Sequence, residues 1–299
     1  MNGFERRVGH GGLVMMALAA GCHPPATGTA PAPAGSTTAG STPAGGTPAG
    51  STAAGAATAA SPAQASAAQA VPMLVNASIR SAYLAGVYDG FLSVGALRRR
   101  GDFGLGAADK NDGEVVALDG AYYRALGDGT VVALADHELV PFASVITFRP
   151  DRRIHIAGPL SRAAFEARLT DWLPGANRMF ALRVHGRFAR VVAGASAAQD
   201  KPYRPFAQVY PEYHLIPRDD LTGTLVGFRM PAALRDISRQ GYHFHLLSDD
   251  KRAGGHVDDA TIQDVDVEAE ELHGIEILLP DTAAFMAADL ASALAPPAR

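Results

Sequence analysis

Three histidines lie close enough in the sequence to bind one metal ion. His243 and His245 alternate in Gly-Tyr-His-Phe-His-Leu-Leu, a β-strand pattern, and alternate residues of a strand share a face at a spacing of roughly 6.5–7 Å. A polar loop over residues 248–255 ends in Gly-Gly, which is typical of a hairpin turn, and His256 then begins the returning strand. The third imidazole is therefore expected beside the first two. Three histidines and an open position are a ligand set of catalytic zinc.

Two other interpretations of this segment stay open. A bare His-x-His pair also fits the solvated face of a strand. A cupin-like metal site is the second alternative, because Asp249 or Asp250 follows the pair where a cupin usually has glutamate, and Gly255 comes after them. The metal hypotheses differ at His256, which a cupin-like site would not need.

Apolar periodicity and turn signals predict the elements before the histidines. Ile79, Tyr83 and Val87 are spaced as on one helix face, and residues 91–97 have the composition of a strand. Three Asp-Gly pairs then separate short apolar segments and predict an antiparallel meander over residues 115–118, 122–126 and 131–134. Further along, Ser161 is a predicted N-cap, for a helix with an apolar face formed by Phe165, Leu169, Trp172 and Leu173.

The remainder of the chain is predicted to be mainly β. Strands are expected over residues 179–184, 188–192, 223–228, 242–247, 256–267 and 275–279, with one short helix near Pro231. A Pro-bounded segment over residues 201–205 is the predicted boundary between an N-terminal mixed β/α domain, residues 71–200, and a C-terminal β-rich metal-binding domain, residues 201–285. Residues 286–299 form a tail.

Several motifs resemble those of the α-acetolactate decarboxylase family, in the same order. They are Gly-Asp-Phe-Gly-Leu-Gly at residues 101–106, Asp-Gly-Glu at 112–114, Arg204-Pro205, residues 222–228, and the histidine segment 241–257. The resemblance covers about residues 74–285. It implies an α+β fold of two mostly antiparallel or mixed β units with a few helices, and an active site at their interface. It also implies zinc on His243, His245 and His256, with Glu114 and Arg204 facing the metal.

The chemistry of such a site agrees with these residue types. The substrate implied by the resemblance is 2-acetolactate, which becomes acetoin after loss of carbon dioxide and protonation of an enediolate. A zinc Lewis acid stabilises the negative charge, the planar fork of Arg204 matches a carboxylate, and Glu114 is a candidate proton donor. The alternatives are that Arg204 braces a proline turn and that Glu114 is an exposed hairpin residue.

Two positions depart from the family pattern. Family members usually have threonine where this chain has Ala107, and some bring a C-terminal glutamate to the metal, whereas Asp289 is the only carboxylate of residues 284–299. The first departure favours a third hypothesis, a non-catalytic envelope binding protein on the same fold. The second leaves the fourth metal ligand to water or substrate.

The N-terminal residues have the order of a bacterial lipoprotein signal. Arg6 and Arg7 precede an apolar segment over residues 13–20, and Gly21-Cys22 follows. Residues 1–22 are therefore the predicted signal peptide, with a lipid on Cys22 as the membrane anchor. Residues 23–70 contain no charge and only three residues other than Ala, Gly, Pro, Ser and Thr, so they are a predicted disordered tether.

The composition of the body excludes some classes of partner. Residues 71–299 carry 24 basic and 29 acidic residues without a basic tract, which gives no electrostatic footprint for nucleic acid. A single cysteine excludes an intramolecular disulfide. We expect a zinc carboxy-lyase, secreted across the inner membrane and periplasmic or anchored to the outer membrane, that acts on a small hydroxy-keto acid. A homodimer is a further expectation.

Overall fold

About half of residues 71–291, the part of the chain that a computed structural model describes, forms β-strands. The helices are short: α1 (Arg80–Leu84), α2 (Val94–Arg98), α3 (Arg162–Trp172), α4 (Phe206–Val209) and α5 (Ala283–Ala287). The strands, in chain order, are β1 (Met73–Ala77), β2 (Leu92–Ser93), β3 (Phe103–Ala107), β4 (Glu114–Leu118), β5 (Ala121–Ala125), β6 (Val131–Ala133), β7 (Leu139–Val140), β8 (Phe142–Ile146), β9 (Arg152–Ser161), β10 (Met179–Ala195), β11 (His214–Met230), β12 (Gly241–Ser248), β13 (Gly254–Leu272) and β14 (Gly274–Leu278).

The first sheet contains the predicted meander. Its seven strands lie in the order β14-β1-β8-β3-β4-β5-β6, with β1 and β14 parallel and the other neighbours antiparallel. The predicted strands of the Asp-Gly region are confirmed as β4, β5 and β6. Between β4 and β5, Asp119 and Gly120 have φ of +52° and +77°, which is the backbone conformation of a type I′ hairpin turn.

The second sheet closes on itself. Its strands lie in the order β10-β11-β12-β13-β9, and β10 also pairs with β13. Strands β10 and β11 have 17 residues each and β13 has 19, long enough to pair with different neighbours along their length. The predicted hairpin of β12 and β13 is confirmed, and it pairs His245 directly with His256.

Apolar side chains hold the two sheets face to face, because one buried cluster takes members from both. The first sheet contributes Leu74, Phe103, Leu105, Val116 and Ile146, and the second contributes Ala181, Val226, Phe228 and Leu247. On the other face of the second sheet, α3 packs Phe165 and Leu169 against Phe180 and Leu182 of β10. Alternate residues at the start of β10 thus enter two different cores, which explains why Met179, Phe180, Ala181 and Leu182 are all apolar and buried.

The predicted helix at Ser161 is confirmed. The Ser161 side chain accepts a hydrogen bond from the backbone N–H of Ala164 at 3.3 Å, which is the bond of an N-cap. The short helix near Pro231 is also present, as a 3-10 turn over Ala232–Leu234.

Two strand predictions were wrong in detail. Residues 91–97 form the two-residue strand β2 and then helix α2, because Ser93 caps this helix by accepting a hydrogen bond from the Ala96 N–H at 3.2 Å. Residues 179–184 and 188–192 are one continuous strand, β10. The glycine between them, Gly186, lies inside the ladder opposite Val265 and does not end the strand.

The sheets divide at a different place from the predicted domain boundary at residue 201. Strand β10 precedes this boundary and β11 follows it, yet the two pair along their whole length. The chain instead passes from the first sheet to the second between β8 and β9. It returns to the first sheet at β14, which pairs with β1. The predicted signal peptide and tether, residues 1–70, lie outside the described residues. Within residues 71–291, no helix is long and apolar enough to cross a membrane.

Gly255 tests how strictly the hairpin positions His256. Its φ is +128°, and an added Cβ would lie 2.6 Å from the Gly194 carbonyl oxygen. We expect Gly255→Ala to lower the free energy of unfolding by about 3 kcal/mol or more, from backbone strain and overpacking together. Gly120→Ala is the matched control, because its φ is +77° but nothing lies within 4 Å of the added Cβ; its expected cost is about 1–2 kcal/mol. The free energies of unfolding are measured by urea denaturation. Equal decreases in Gly255→Ala and Gly120→Ala would contradict the packing argument.

Candidate metal centre

The register of the β12–β13 hairpin brings the three predicted histidines together. His245 lies opposite His256, and His243 lies two residues earlier on the same strand. The ring centroids are 5.0 Å apart for His243 and His245, 5.0 Å for His243 and His256, and 5.5 Å for His245 and His256. One nitrogen of each ring lies within 4.8 Å of the others. This group could hold a metal ion.

The imidazoles are in the protonation state that metal binding needs. Burial lowers the pKa of His245 to about 4. Burial, followed by the charges of neighbouring groups, holds the pKa of His243 and His256 well below the ordinary value. All three rings are therefore neutral near pH 7, and a neutral imidazole offers a lone pair to a metal.

A backbone carbonyl orients one of the ligands. His245 Nδ1 lies 2.9 Å from the Val115 carbonyl oxygen, so the neutral ring donates its Nδ1–H there and leaves the Nε2 lone pair for a metal. Metal-binding histidines commonly have such a partner on the second nitrogen. The donor set and its surroundings thus fit a divalent ion that accepts nitrogen ligands.

Glu114 lies beside this group, as the resemblance implies. It occupies the start of β4, on the same face as Val116, which belongs to the core between the sheets. Its Oε2 is 3.4 Å from His245 Nε2, and its Oε1 accepts a hydrogen bond from the Tyr213 hydroxyl. Burial raises the pKa of Glu114 to about 7, although the Tyr213 hydrogen bond and the Arg239 charge oppose the shift. The alternative of an exposed hairpin residue was wrong.

The cavity next to the histidines is lined by residues from both sheets and from α1 and α4. Its volume is about 90 Å³, well below the ~300–1,000 Å³ of pockets for drug-sized ligands, so its occupant is small. The lining residues are Arg80, Tyr83, Leu84, Leu105, Gly106, Ala107, Glu114, Phe142, Phe206, Arg239, His243 and His245.

Arg204 has a different place from the one that the resemblance implies. Its Nη1 and Nη2 each donate to a Glu212 carboxylate oxygen at 2.7 Å, and Nη2 also donates to Gln199 Oε1 at 2.9 Å. The guanidinium is absent from the cavity lining, whereas Phe206, two residues later, is part of it.

Three residues of the site were not predicted from the sequence. Tyr213 holds Glu114, and Tyr83 forms part of the cavity wall, with its hydroxyl donating to Asn111 Oδ1 at 2.6 Å. Arg239 lines the cavity, with Nη1 3.0 Å from His256 Nε2. The only sequence signal among these was the helix periodicity of Tyr83, which predicts an inward face but no role. Tyr213 directly precedes β11, Arg239 lies two residues before β12, and neither belongs to a motif.

Residues 74–292 match the family model described as Alpha-acetolactate decarboxylase. The chain belongs to the alpha-acetolactate decarboxylase family. An alpha-acetolactate decarboxylase of Bacillus subtilis is 34% identical over 220 residues, which cover 74% of this chain and 86% of that protein. The one of Klebsiella aerogenes is 33% identical over 218 residues, covering 73% and 84%.

Solved structures of the family confirm the predicted α+β fold class. The crystal structure of the Bacillus subtilis alpha-acetolactate decarboxylase matches with a TM-score of 0.71 at 33% identity, covering 73% of this chain and 93% of that one. A Staphylococcus aureus protein of unknown function, described as similar to alpha-acetolactate decarboxylase, matches with a TM-score of 0.71 at 25% identity, covering 74% and 96%. The predicted position of the site between two β units agrees with the packing of the two sheets.

The two departures from the alpha-acetolactate decarboxylase pattern have defined positions. Ala107 is a buried cavity residue and pairs with Glu114 across β3 and β4. A threonine there would add a hydroxyl to the cavity wall, which this chain lacks. Asp289 follows helix α5, two residues after its end.

We expect Glu114→Gln to stabilise the metal-free protein at pH 8 by about 2–3 kcal/mol. The fold raises the pKa of Glu114 from 4.5 to about 7. Protonated Glu114 therefore stabilises the fold below pH 4.5, and this contribution is lost as the pH rises through 7. Glutamine keeps an acceptor for Tyr213 and has no such loss.

Urea denaturation at pH 4 and pH 8 measures this difference. The variant and the wild type should be nearly equal at pH 4 and separate at pH 8. Glu276→Gln is the control, because this carboxylate is 42% exposed and pairs with Arg100 at 2.6 Å; it should not become more stable at pH 8. A Glu114→Gln protein without added stability at pH 8 would show that Glu114 ionises normally in the fold.

Proposed function

We propose that this chain is a zinc-dependent decarboxylase that converts 2-acetolactate to acetoin. The observation that carries the proposal is the meeting of three neutral histidines with a buried carboxylic acid at one small cavity. Family membership supports decarboxylation, and the nitrogen donor set supports zinc as the metal.

His243, His245 and His256 would hold the zinc ion. Bound there, zinc supplies a Lewis acid that stabilises negative charge developing on the substrate oxygens. The Val115 carbonyl fixes the ring of His245 for this task. The apolar layer on the first sheet, with Leu105 and Phe142 in the cavity wall, keeps water away from the reacting carbon and so strengthens electrostatic interactions.

Glu114 would supply the proton that completes the reaction. Breaking the carbon–carbon bond to the carboxylate releases carbon dioxide and leaves its electron pair on the substrate as an enediolate. A proton on the carbon that lost carbon dioxide then gives acetoin. Glu114, with a pKa of about 7, is near the value at which a group both holds and gives a proton at neutral pH. The Tyr213 hydroxyl orients it.

Turnover and metal content test the function together. We expect the purified chain to form acetoin from 2-acetolactate, to lose this activity after treatment with a chelator, and to regain it with zinc. His256→Ala should lose the bound metal, because all three rings contribute to the group. His185→Ala is the control, since His185 lies on β10 next to Asp249, with a half-exposed side chain.

Different failures would support different alternatives. Full metal content in His256→Ala would favour cupin-like ligation by His243, His245 and an aspartate. A folded, metal-replete wild type that forms no acetoin would contradict the decarboxylase hypothesis. It would favour the hypothesis of a non-catalytic binding protein, which Ala107 supports.

We also propose that a lipid on Cys22 anchors the protein to the bacterial envelope. The supporting observations are the order of residues 1–22 and the uncharged segment 23–70. Because Cys22 is the only cysteine, labelling of cells with radioactive palmitate should mark the full chain, and Cys22→Ser should abolish the label and release the protein to the soluble fraction. Unlabelled wild type would contradict the anchor. The homodimer stays a prediction.

A further inference from the structure

We propose that Tyr83 and Asn111 are positioning residues for Glu114, and that they act on it through Tyr213. This inference rests on the proposed function, because it names the residues that hold the proton donor of the decarboxylase in place. Tyr83 lies on α1, Asn111 lies in the turn between β3 and β4, and Tyr213 directly precedes β11. No motif of the sequence joins them, so only the fold brings them together.

A chain of hydroxyl contacts connects these residues to the carboxyl group. The Tyr83 hydroxyl donates to Asn111 Oδ1 at 2.6 Å. The Tyr213 hydroxyl donates to Glu114 Oε1, while Glu114 Oε2 lies 3.4 Å from His245 Nε2. Burial, followed by the charge of Glu114, raises the pKa of both tyrosines well above the ordinary value, and a hydrogen bond between the two hydroxyls also acts on each pKa. Both phenols therefore keep their hydrogens near neutral pH.

The side chain of Tyr83 is held firmly enough to fix its neighbour. Its ring contacts three aromatic side chains at centroid distances of 5.3, 5.7 and 5.1 Å, those of Tyr88, Phe142 and Phe206. Phe206 also contacts the Tyr213 ring, edge-on at 5.9 Å. Tyr213 itself follows a single 3-10 turn, Tyr210–Glu212, and stands outside any helix or strand. The Tyr83 hydroxyl thus gives the Tyr213 hydroxyl a fixed neighbour that its own segment does not supply.

Asn111 has an unusual backbone and a buried side chain, which its bond to Tyr83 explains. Its φ is +56°, and the preceding Lys110 has a φ of +60°, a left-handed conformation that is unfavourable for residues other than glycine. The side chain is fully buried. Its Nδ2 has no hydrogen-bond partner in the part of the chain that the structure describes, so the burial of this amide is only partly compensated. Such a costly arrangement indicates a function, and here the amide oxygen anchors Tyr83.

The position of Glu114 matters most after carbon dioxide has left. The enediolate carbon is planar, so its two faces give the two enantiomers of acetoin. Glu114 gives its proton to this carbon and afterwards takes one from water. A carboxyl group in one fixed position delivers to one face, whereas a carboxyl group that turns, or water in its place, reaches both. Loss of the positioning hydroxyls should therefore lower kcat and the enantiomeric excess of acetoin, and leave KM within about twofold.

Tyr83→Phe is the direct test, because it keeps the ring and removes only the hydroxyl. We expect kcat for 2-acetolactate to fall roughly 2- to 10-fold, the effect of one neutral hydrogen bond, and chiral chromatography should show more of the minor enantiomer. Tyr213→Phe removes the donor to the carboxyl group itself and should lower kcat roughly 10- to 100-fold. The double variant should match Tyr213→Phe, because Tyr83 acts through that hydroxyl.

Two further variants separate the hydroxyl chain from a general loss of packing. Asn111→Gly keeps the left-handed backbone, which glycine adopts readily, and removes the anchoring oxygen, so it should reproduce the effects of Tyr83→Phe. Tyr88→Phe is the matched control. The Tyr88 hydroxyl is buried in the same aromatic group and has no hydrogen-bond partner within residues 71–291. Its removal should leave kcat and the enantiomer ratio as in the wild type.

A crystal structure of zinc-loaded Tyr83→Phe gives a measurement that does not depend on turnover. We expect the Tyr213 hydroxyl to move out of hydrogen-bond distance of Glu114 Oε1, and the carboxyl group to turn from its place beside His245. Tyr88→Phe should keep both contacts, because its hydroxyl has no part in the chain.

Three results would overturn the inference. They are wild-type kcat and enantiomer ratio in Tyr83→Phe, additive losses of kcat in the double variant, and an unchanged contact between Tyr213 and Glu114 in the Tyr83→Phe structure. These outcomes are separate from failure of the proposed function. If the wild type forms no acetoin but Tyr83→Phe loses the contact between Tyr213 and Glu114, the positioning role stands and the decarboxylase hypothesis does not.

Discussion

The burial of one face of β12 against β4 is the interaction on which the rest of the site depends. This contact brings the Val115 carbonyl to His245 and places Glu114, the preceding residue, next to the same imidazole. The two strands belong to different sheets, and the apolar layer that includes Val116 and Val226 holds them together. Without that layer His243 and His245 would lie on a solvated face of the strand. This is the alternative to a metal site that a His-x-His pair leaves open.

The same burial explains the acid–base properties of the site. Imidazoles and a carboxyl group that leave water become harder to charge, so the pKa values of the histidines fall and that of Glu114 rises to about 7. Neutral histidines are ready to bind a metal, and a carboxyl group near neutrality is ready to exchange a proton. This arrangement costs stability, because a buried carboxyl group must stay protonated or find a compensating charge. The broad apolar contact between the sheets offsets that cost.

The positive charges show how a motif and a structure can disagree. Arg204 lies in a Pro-bounded segment that resembles the family. Both oxygens of the Glu212 carboxylate accept hydrogen bonds from its guanidinium, which lies outside the cavity lining. Arg239 stands in no motif, yet the turn before β12 directs it to His256. Glu212 lies eight residues after Arg204 in the sequence. An ion pair with such a nearby carboxylate determines where the guanidinium lies, and the residue types alone do not predict that the pair forms.

The sequence by itself determined the features that depend on local periodicity and on short turns. These are the Asp-Gly meander, the helix capped by Ser161, and the hairpin that pairs His245 with His256, because strand alternation and turn chemistry act over a few residues. It did not determine the extent of β10, the return of β14 to the first sheet or the neighbours of Glu114. Those depend on pairing and packing between segments that lie far apart in the sequence, where shape and burial select among many apolar strands of similar composition. Tertiary structure therefore decided that Glu114 and Arg239 contact the histidines and that Tyr213 contacts Glu114, because only the packing of the two sheets brings these strands and turns together.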